Sequence, residues 1–204
     1  EVRSTGKPFF AYEHPLTFNR NEKIETLYFD FIYQPYYESA DRSIATGVIS
    51  VGHDVTEQVL IKKSTEESEK KWKELANDMP VMVWTADKSG RIDFLNDQWY
   101  EFTGLSEEAS LGYGWVDVLH PDDVERCAGI WRHALENEVL YEVEVRYKGK
   151  DGQYRWSIAR GTPIRHQGEI IKWYGTSTDI HERKQLEIHL EDKVRERTKE
   201  LERK

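Results

Sequence analysis

The sequence predicts an α+β fold: a five-stranded antiparallel sheet with helices on one side, and long helices before and after it. Three observations carry that prediction. Strand-composed segments lie at residues 81–86 and 91–95, and again at 140–147, 154–162 and 169–178. Helix signals fill the stretch between these two groups. One strand-to-helix junction also occurs twice, at Asp54 with Glu57 and at Asp179 with Glu182, at a common offset of 125 (179 − 54). In each copy a carboxylate stands where an N-cap belongs, with a reciprocal partner three residues on. Two such exits imply two copies of a module.

The first 54 residues read as strands and turns. Residues 8–18 are aromatic and interrupted by Pro15, which predicts an edge or irregular strand. Residues 24–37 carry Tyr28, Phe29, Phe31, Ile32 and Tyr33, with Pro35 as the expected end. A turn at 39–43 leads into a third strand at 44–53. A sheet of three strands buries only part of an apolar face, so it needs a partner for stable order. Residues 55–79 form a helical connector. Val55 and Val59 begin an apolar stripe, a charged and hydroxylic run follows, and Trp72, Leu75, Ala76 and Met79 recover helical spacing. Ser64 and Glu67 are able to cap a second helix, so one long helix and two short ones are both open.

The complete module spans 69–184. Asp87, Lys88, Ser89 and Gly90 supply turn chemistry for a hairpin between its first two strands. Residues 96–104 and 106–111 are short helical pieces, the first ended by Gly104. Pro121 suits the first position of a helix reaching Glu138, with Asp122, Asp123 and Glu125 in its favourable first turn. Turns at 149–152 and 166–168 separate the last three strands. Residues 185–204 form a final helix on which Leu190, Val194 and Leu201 mark a narrow seam interrupted by Arg197. Glu191 with Arg195, and Glu200 with Lys204, add support at i, i+4.

Composition excludes several classes. A net charge of −9 over 204 residues argues against a nucleic-acid or anionic-membrane surface. The lone cysteine, Cys127, rules out an intrachain disulfide and fits a reducing compartment. No apolar run approaches a membrane span. The first residue is Glu, so the sequence reads as a segment of a longer chain whose own membrane status stays open.

The pentapeptides Asp54-Val55-Thr56-Glu57-Gln58 and Asp179-Ile180-His181-Glu182-Arg183 resemble the exit signature of PAS sensory domains, the PAC-type motif. Gly114-Trp115 and His120-Pro121-Asp122-Asp123 are similar to mid-domain motifs of that family, in the expected order. The resemblance implies that 1–54 is the C-terminal half of a first PAS domain and 69–184 a complete one. Residues 190–201 resemble the signalling helix that precedes the dimerisation domain of sensor histidine kinases. The implied function is a cytoplasmic sensory and relay segment of a bacterial two-component histidine kinase. It would dimerise through its PAS domain and final helix, acting on a kinase core in cis and, through the parent, on a response regulator. Direct contact with nucleic acid or membrane is not implied. The alternatives are a PAS sensor of a cyclic-dinucleotide enzyme and a standalone small-molecule enzyme.

Catalytic chemistry finds little footing. His181-Glu182-Arg183-Lys184 lacks the Thr-Pro of a phosphoaccepting helix, and no Gly-rich phosphate loop occurs. Asp122 and Asp123 read as helix-dipole residues rather than paired acids, and His120 as a turn or cap residue. No metal site is expected. Cys127 lies outside the motif used by flavin-binding members, and His133 falls off the face formed by Val124, Cys127, Ala128, Trp131 and Leu135, so neither flavin nor haem is expected. Trp84, Trp99, Phe102, Trp115, Trp131, Tyr141 and Trp156 are the inward candidates, filling a core or lining a small-ligand pocket. Asp54, Glu57, Asp179 and Glu182, at the two exits, are the signal-coupling residues.

Overall fold

Turn and cap chemistry decides most of the element boundaries. The computed structural model describes residues 2–20, 23–38 and 45–202, and divides into two compact units, Glu1–Lys71 and Trp72–Lys204.

In the first unit a short helix α1 (Val2–Thr5) precedes β1 (Phe9–Arg20), β2 (Lys23–Tyr36) and β3 (Gly47–Asp54), which form one antiparallel sheet in that order. The 39–43 turn and Ile44 lie outside the described residues. β1 is an edge strand, and its register shifts between Ala11 and His14, where Glu13 takes a φ of 47°. Pro35 does not end β2: it pairs with Val48 on β3, beyond the reach of β1, whose pairing stops at Tyr33. A missing N–H costs a strand nothing on a side with no neighbour. Phe29, Phe31 and Tyr33 share one face as a row of rings with centroids 5.8 and 5.9 Å apart, the first pair stacked and the second tilted, flanked by Phe18 and Phe9 from β1. The connector is one helix, α2 (Thr56–Asp78), rather than two. Its hydroxylic stretch stays helical because Thr65 and Ser68 donate back to the carbonyls of Ile61 and Ser64. Val55 and Val59 are buried, whereas Leu75 and Met79 are exposed and only Ala76 of that predicted face is fully covered.

The second unit is a five-stranded antiparallel sheet in the order β5-β4-β8-β7-β6. Its strands are β4 (Met82–Asp87), β5 (Ile92–Leu95), β6 (Tyr141–Lys148), β7 (Tyr154–His166) and β8 (Glu169–Asp179). Asp87 Oδ1 accepts from the N–H groups of Ser89 and Arg91, and Gly90 takes the positive φ that closes the β4–β5 turn. Between β5 and β6 come α3 (Asp97–Thr103), ended by Gly104 in the left-handed region, and α4 (Glu107–Ser110), capped by Ser106. A 3₁₀ turn (Gly114–Val118) leads to α5 (Pro121–Asn137), which Pro121 opens and His120 caps through Nδ1. These pieces cover one face of the sheet. The opposite face is not bare: Trp72 of α2 lies 4.6 Å from Phe94 and 6.1 Å from Tyr174. Buried Asn96 anchors that helix, donating to the carbonyls of Ala76 and Val81 and accepting from Val83 N–H. The chain leaves through α6 (His181–Glu202).

Candidate functional site

The covered face of the sheet holds a nest of rings. Trp84 on β4 pairs with Gly175 on β8, which pairs with Gly161 on β7, which pairs with Tyr141 on β6. A Cβ at Gly161 or Gly175 would come within 2.5 Å of a Trp84 ring atom, so both must be glycine for the ring to lie across two strands. Trp131 on α5 meets Trp84, Tyr141 and Trp173 edge-on at 5.8, 4.9 and 5.1 Å, and its indole N–H donates to the Gly90 carbonyl. Edge-to-face contacts of this kind add about 0.5–1.5 kcal/mol each to the burial itself.

Beside these rings lies a cavity of about 30 Å³, lined by Trp84, Trp99, Trp115, Trp131 and Tyr141 together with Tyr147 and Ser177. That is room for about two water molecules, far below the few hundred Å³ of an ordinary ligand pocket. Phe102 packs against the core but does not line the cavity. Trp156 departs from the expectation altogether. Ser157 and Ala159 take the buried positions of β7, so strand alternation turns Trp156 to the opposite face. Tyr147 and Ser177, which sequence reasoning missed, bring their hydroxyls within 3.4 Å of each other in the cavity wall. Burial pushes the Tyr147 phenol up to about 12 and that of Tyr141 still higher.

The two exits repeat bond for bond. In the second, the Ile180 N–H donates to the Trp156 carbonyl at 2.9 Å, and the His181 N–H donates to Asp179 Oδ1 at 2.7 Å. The Trp156 N–H returns to His181 Nδ1 at 3.3 Å. In the first, Val55 N–H donates to the Tyr28 carbonyl at 2.9 Å, Thr56 N–H to Asp54 Oδ1 at 2.9 Å, and Tyr28 N–H to Thr56 Oγ1 at 2.8 Å. Val55 and Ile180 are both buried. Each aspartate ends its strand and binds the amide two residues on, in place of the predicted bond to the third. Glu57 and Glu182 stand in the first helical turn, where a negative charge suits the dipole. Asp179 also accepts from Arg155 Nε at 2.8 Å.

A second ionic centre lies beside this exit. Asp123, in the first turn of α5, is 4% exposed and takes a two-pronged contact from Arg146 on β6, at 2.9 and 3.1 Å. The Arg146 amide and Arg126 bind the same carboxylate. Burial pushes this carboxyl up, but the hydrogen bonds from Arg146 and Arg126 outweigh it and hold the group down at about 2. Asp122 is exposed, so the two aspartates are not a paired acid and base. His133 is exposed on α5, and Cys127 is fully buried with its thiol pushed by burial to about 11. Among the described residues no group of three or more His, Cys, Asp or Glu side chains is placed to hold a metal, and no helix is long and apolar enough to cross a membrane. Beyond its first turns, α6 leaves Leu190, Val194 and Leu201 exposed.

A family model described as PAS fold matches residues 92–177. Among curated proteins, the chain is 31% identical over 140 residues to protein y4lL of Sinorhizobium fredii, covering 68% of this chain and 17% of that protein. It is 30% identical over 159 residues to the peroxide stress-activated histidine kinase mak1 of Schizosaccharomyces pombe, covering 72% of this chain and 10% of that protein. The chain thus spans less than a fifth of the length of either relative. Among solved structures, an RNA-binding light-oxygen-voltage receptor superposes with a TM-score of 0.53 at 12% identity, covering 95% of this chain and 84% of that one. That last likeness is one of fold.

Proposed function

We propose, from the premise that the chain belongs to the PAS family through its second unit, that it is a sensory and signal-relay segment of a two-component histidine kinase. It acts in the cytoplasm, as a homodimer, and passes its signal along α6 to a kinase core in cis, and through that core to a response regulator. The segment is not itself the enzyme. The observation that carries this reading is the exit: strand β8 becomes α6 with no loop between, Ile180 is buried in the joint, and the helix beyond it is exposed. A movement of β8 therefore has no slack in which to dissipate. The first unit is the C-terminal half of a further PAS domain, a reading supported by the repeated junction bonds and by the row at Phe29, Phe31 and Tyr33. That row occupies the strand face that Ser157, Ala159 and Gly161 present to the core in the second unit.

The domain works without haem or flavin. His133 points away from the rings, Cys127 is a buried, protonated thiol, and the cavity is too small for either group. The dimer forms along Leu190, Val194 and Leu201, with Arg197 weakening the seam enough for small movements to bias it. Inserting one to seven residues after Lys184 in the parent kinase tests the reading. Each residue turns a helix by about 100°, and seven nearly restore its face. Kinase output is expected to follow heptad phase; a smooth, phase-independent response would make α6 a tether.

A further inference from the structure

Trp156, turned out of the core, has a position that the ring nest does not explain. It sits directly across from Arg146 on β6, and the Arg146 guanidinium lies 5.1 Å from its ring centroid. The ammonium of Lys184, in the first turns of α6, lies 5.8 Å from the same centroid. Lys184 is held there by Glu144 of β6 at 2.6 Å, and the same carboxylate takes Arg183 at 2.7 Å. Arg146 in turn grips buried Asp123 at the start of α5. Helix α5 carries Trp131 into the cavity wall. Four side chains thus run unbroken from α5 to α6: Asp123, Arg146, Trp156 and Lys184, the last anchored by Glu144 of β6.

We infer that Trp156 is a positioning residue that seats α6, and that the Asp123–Arg146 pair and the Trp156 ring together transmit displacements of α5 to the outgoing helix. The inference rests on the relay reading above and specifies the route. Its physical basis is the stiffness of each link. The Arg146–Asp123 contact is a two-pronged, charge-assisted fork that fixes orientation as well as distance. The ring is a flat, rigid platform that both cations approach. If α5 shifts, the guanidinium must follow Asp123, and the ring and Lys184 must readjust. Strand β8 runs directly into α6, and β6 and β7 hold its first turns from the side through Glu144 and Trp156.

Hydrogen exchange on the whole chain tests the route, read at the α6 first-turn amides and referenced to the β7–β8 ladder, which reports global opening. Trp156→Leu is expected to speed exchange of the Lys184 amide about fivefold, the ratio that loss of a cation–π contact gives. Trp156→Phe keeps an aromatic face and should stay near the wild-type rate. Asp123→Asn should speed the same amide in α6, although it lies on another helix, and the double variant with Trp156→Leu should be no faster there than Trp156→Leu alone. Arg146→Lys keeps the charge without the fork and is expected to act in the same direction as Asp123→Asn. It replaces that variant should the latter not fold. The route is overturned if Asp123→Asn and Arg146→Lys loosen α5 while leaving α6 at its wild-type rate, if the double variant is additive, or if Trp156→Leu leaves α6 unchanged. Loss of heptad-phase dependence with this exchange pattern intact would instead refute the relay function and leave the mechanical coupling standing.

Discussion

Replacing Asp123 with Asn isolates the most buried charge in the second unit. The folded carboxyl sits at about 2 against an ordinary 3.8. At about 1.4 kcal/mol for each tenfold in the proton equilibrium, that difference corresponds to about 2.5 kcal/mol of stability. The sign follows from the lowered folded value: the contribution is complete above 3.8 and is lost as pH falls through about 2. Removing one partner of a fully buried pair usually costs about 3–5 kcal/mol. Here the side chains of Arg146 and Arg126 are 24% and 43% exposed, so the stranded cations regain water and the smaller figure should hold. Asparagine mimics the protonated acid, which gives the test its edge. At pH 7 Asp123→Asn should unfold about 2.5 kcal/mol more easily in urea, and the difference should shrink towards zero as pH falls from 4 to 2. All seven tryptophans lie at or after Trp72, so their fluorescence reports this unit alone. A difference at pH 7 under about 1 kcal/mol, or one that persists unchanged at pH 2, would refute the reasoning.

Three further outcomes follow from the geometry. Gly175→Ala should destabilise the second unit by about 3 kcal/mol in the same urea assay, since the added methyl displaces the Trp84 ring from two strands; Trp84→Phe in the same chain should recover part of the loss. Asp179→Ala removes a cap and a half-exposed bond to Arg155, worth about 1 kcal/mol together. The domain should stay folded by circular dichroism while the output of the proposed parent kinase responds less to its stimulus. Cys127 should react with a thiol-specific dye at least about a hundredfold more slowly in the folded chain than in urea at pH 8, because burial keeps the thiol protonated and out of reach.

Local chemistry was legible in the sequence, and long-range register was not. The turn at Asp87 to Gly90, Pro121 at its helix start, Gly104 at its helix end and the two aspartate exits all depend on atoms a few residues apart. Which aspartate of Asp122 and Asp123 is buried depends on Arg146, a residue brought in by β6 pairing. The same limit explains Trp156. Size suggested an inward ring, but strand parity decides the face, and on β7 the inward parity belongs to small residues because Trp84 lies across them. Pro35 misled for a related reason: a proline breaks a strand only where a neighbour needs its N–H. The buried Asn96 amide donates to the carbonyls of Ala76 on α2 and of Val81 beyond it, a use that only the folded arrangement reveals.

The matched bonds at Asp54 and Asp179 make the chain divisible at those points. Each joint is closed by its aspartate, the next two residues and one residue of the neighbouring strand, Tyr28 in the first and Trp156 in the second. The 125 residues from Val55 to Asp179 (179 − 54) therefore form a cassette, a helix followed by a domain, whose two cut ends are chemically interchangeable. A second cassette spliced in after Asp179 would present Val55 and Thr56 to the Trp156 carbonyl and the Asp179 carboxylate, as Ile180 and His181 do now. A chain built on such joints can lengthen by whole periods without redesigning a single joint.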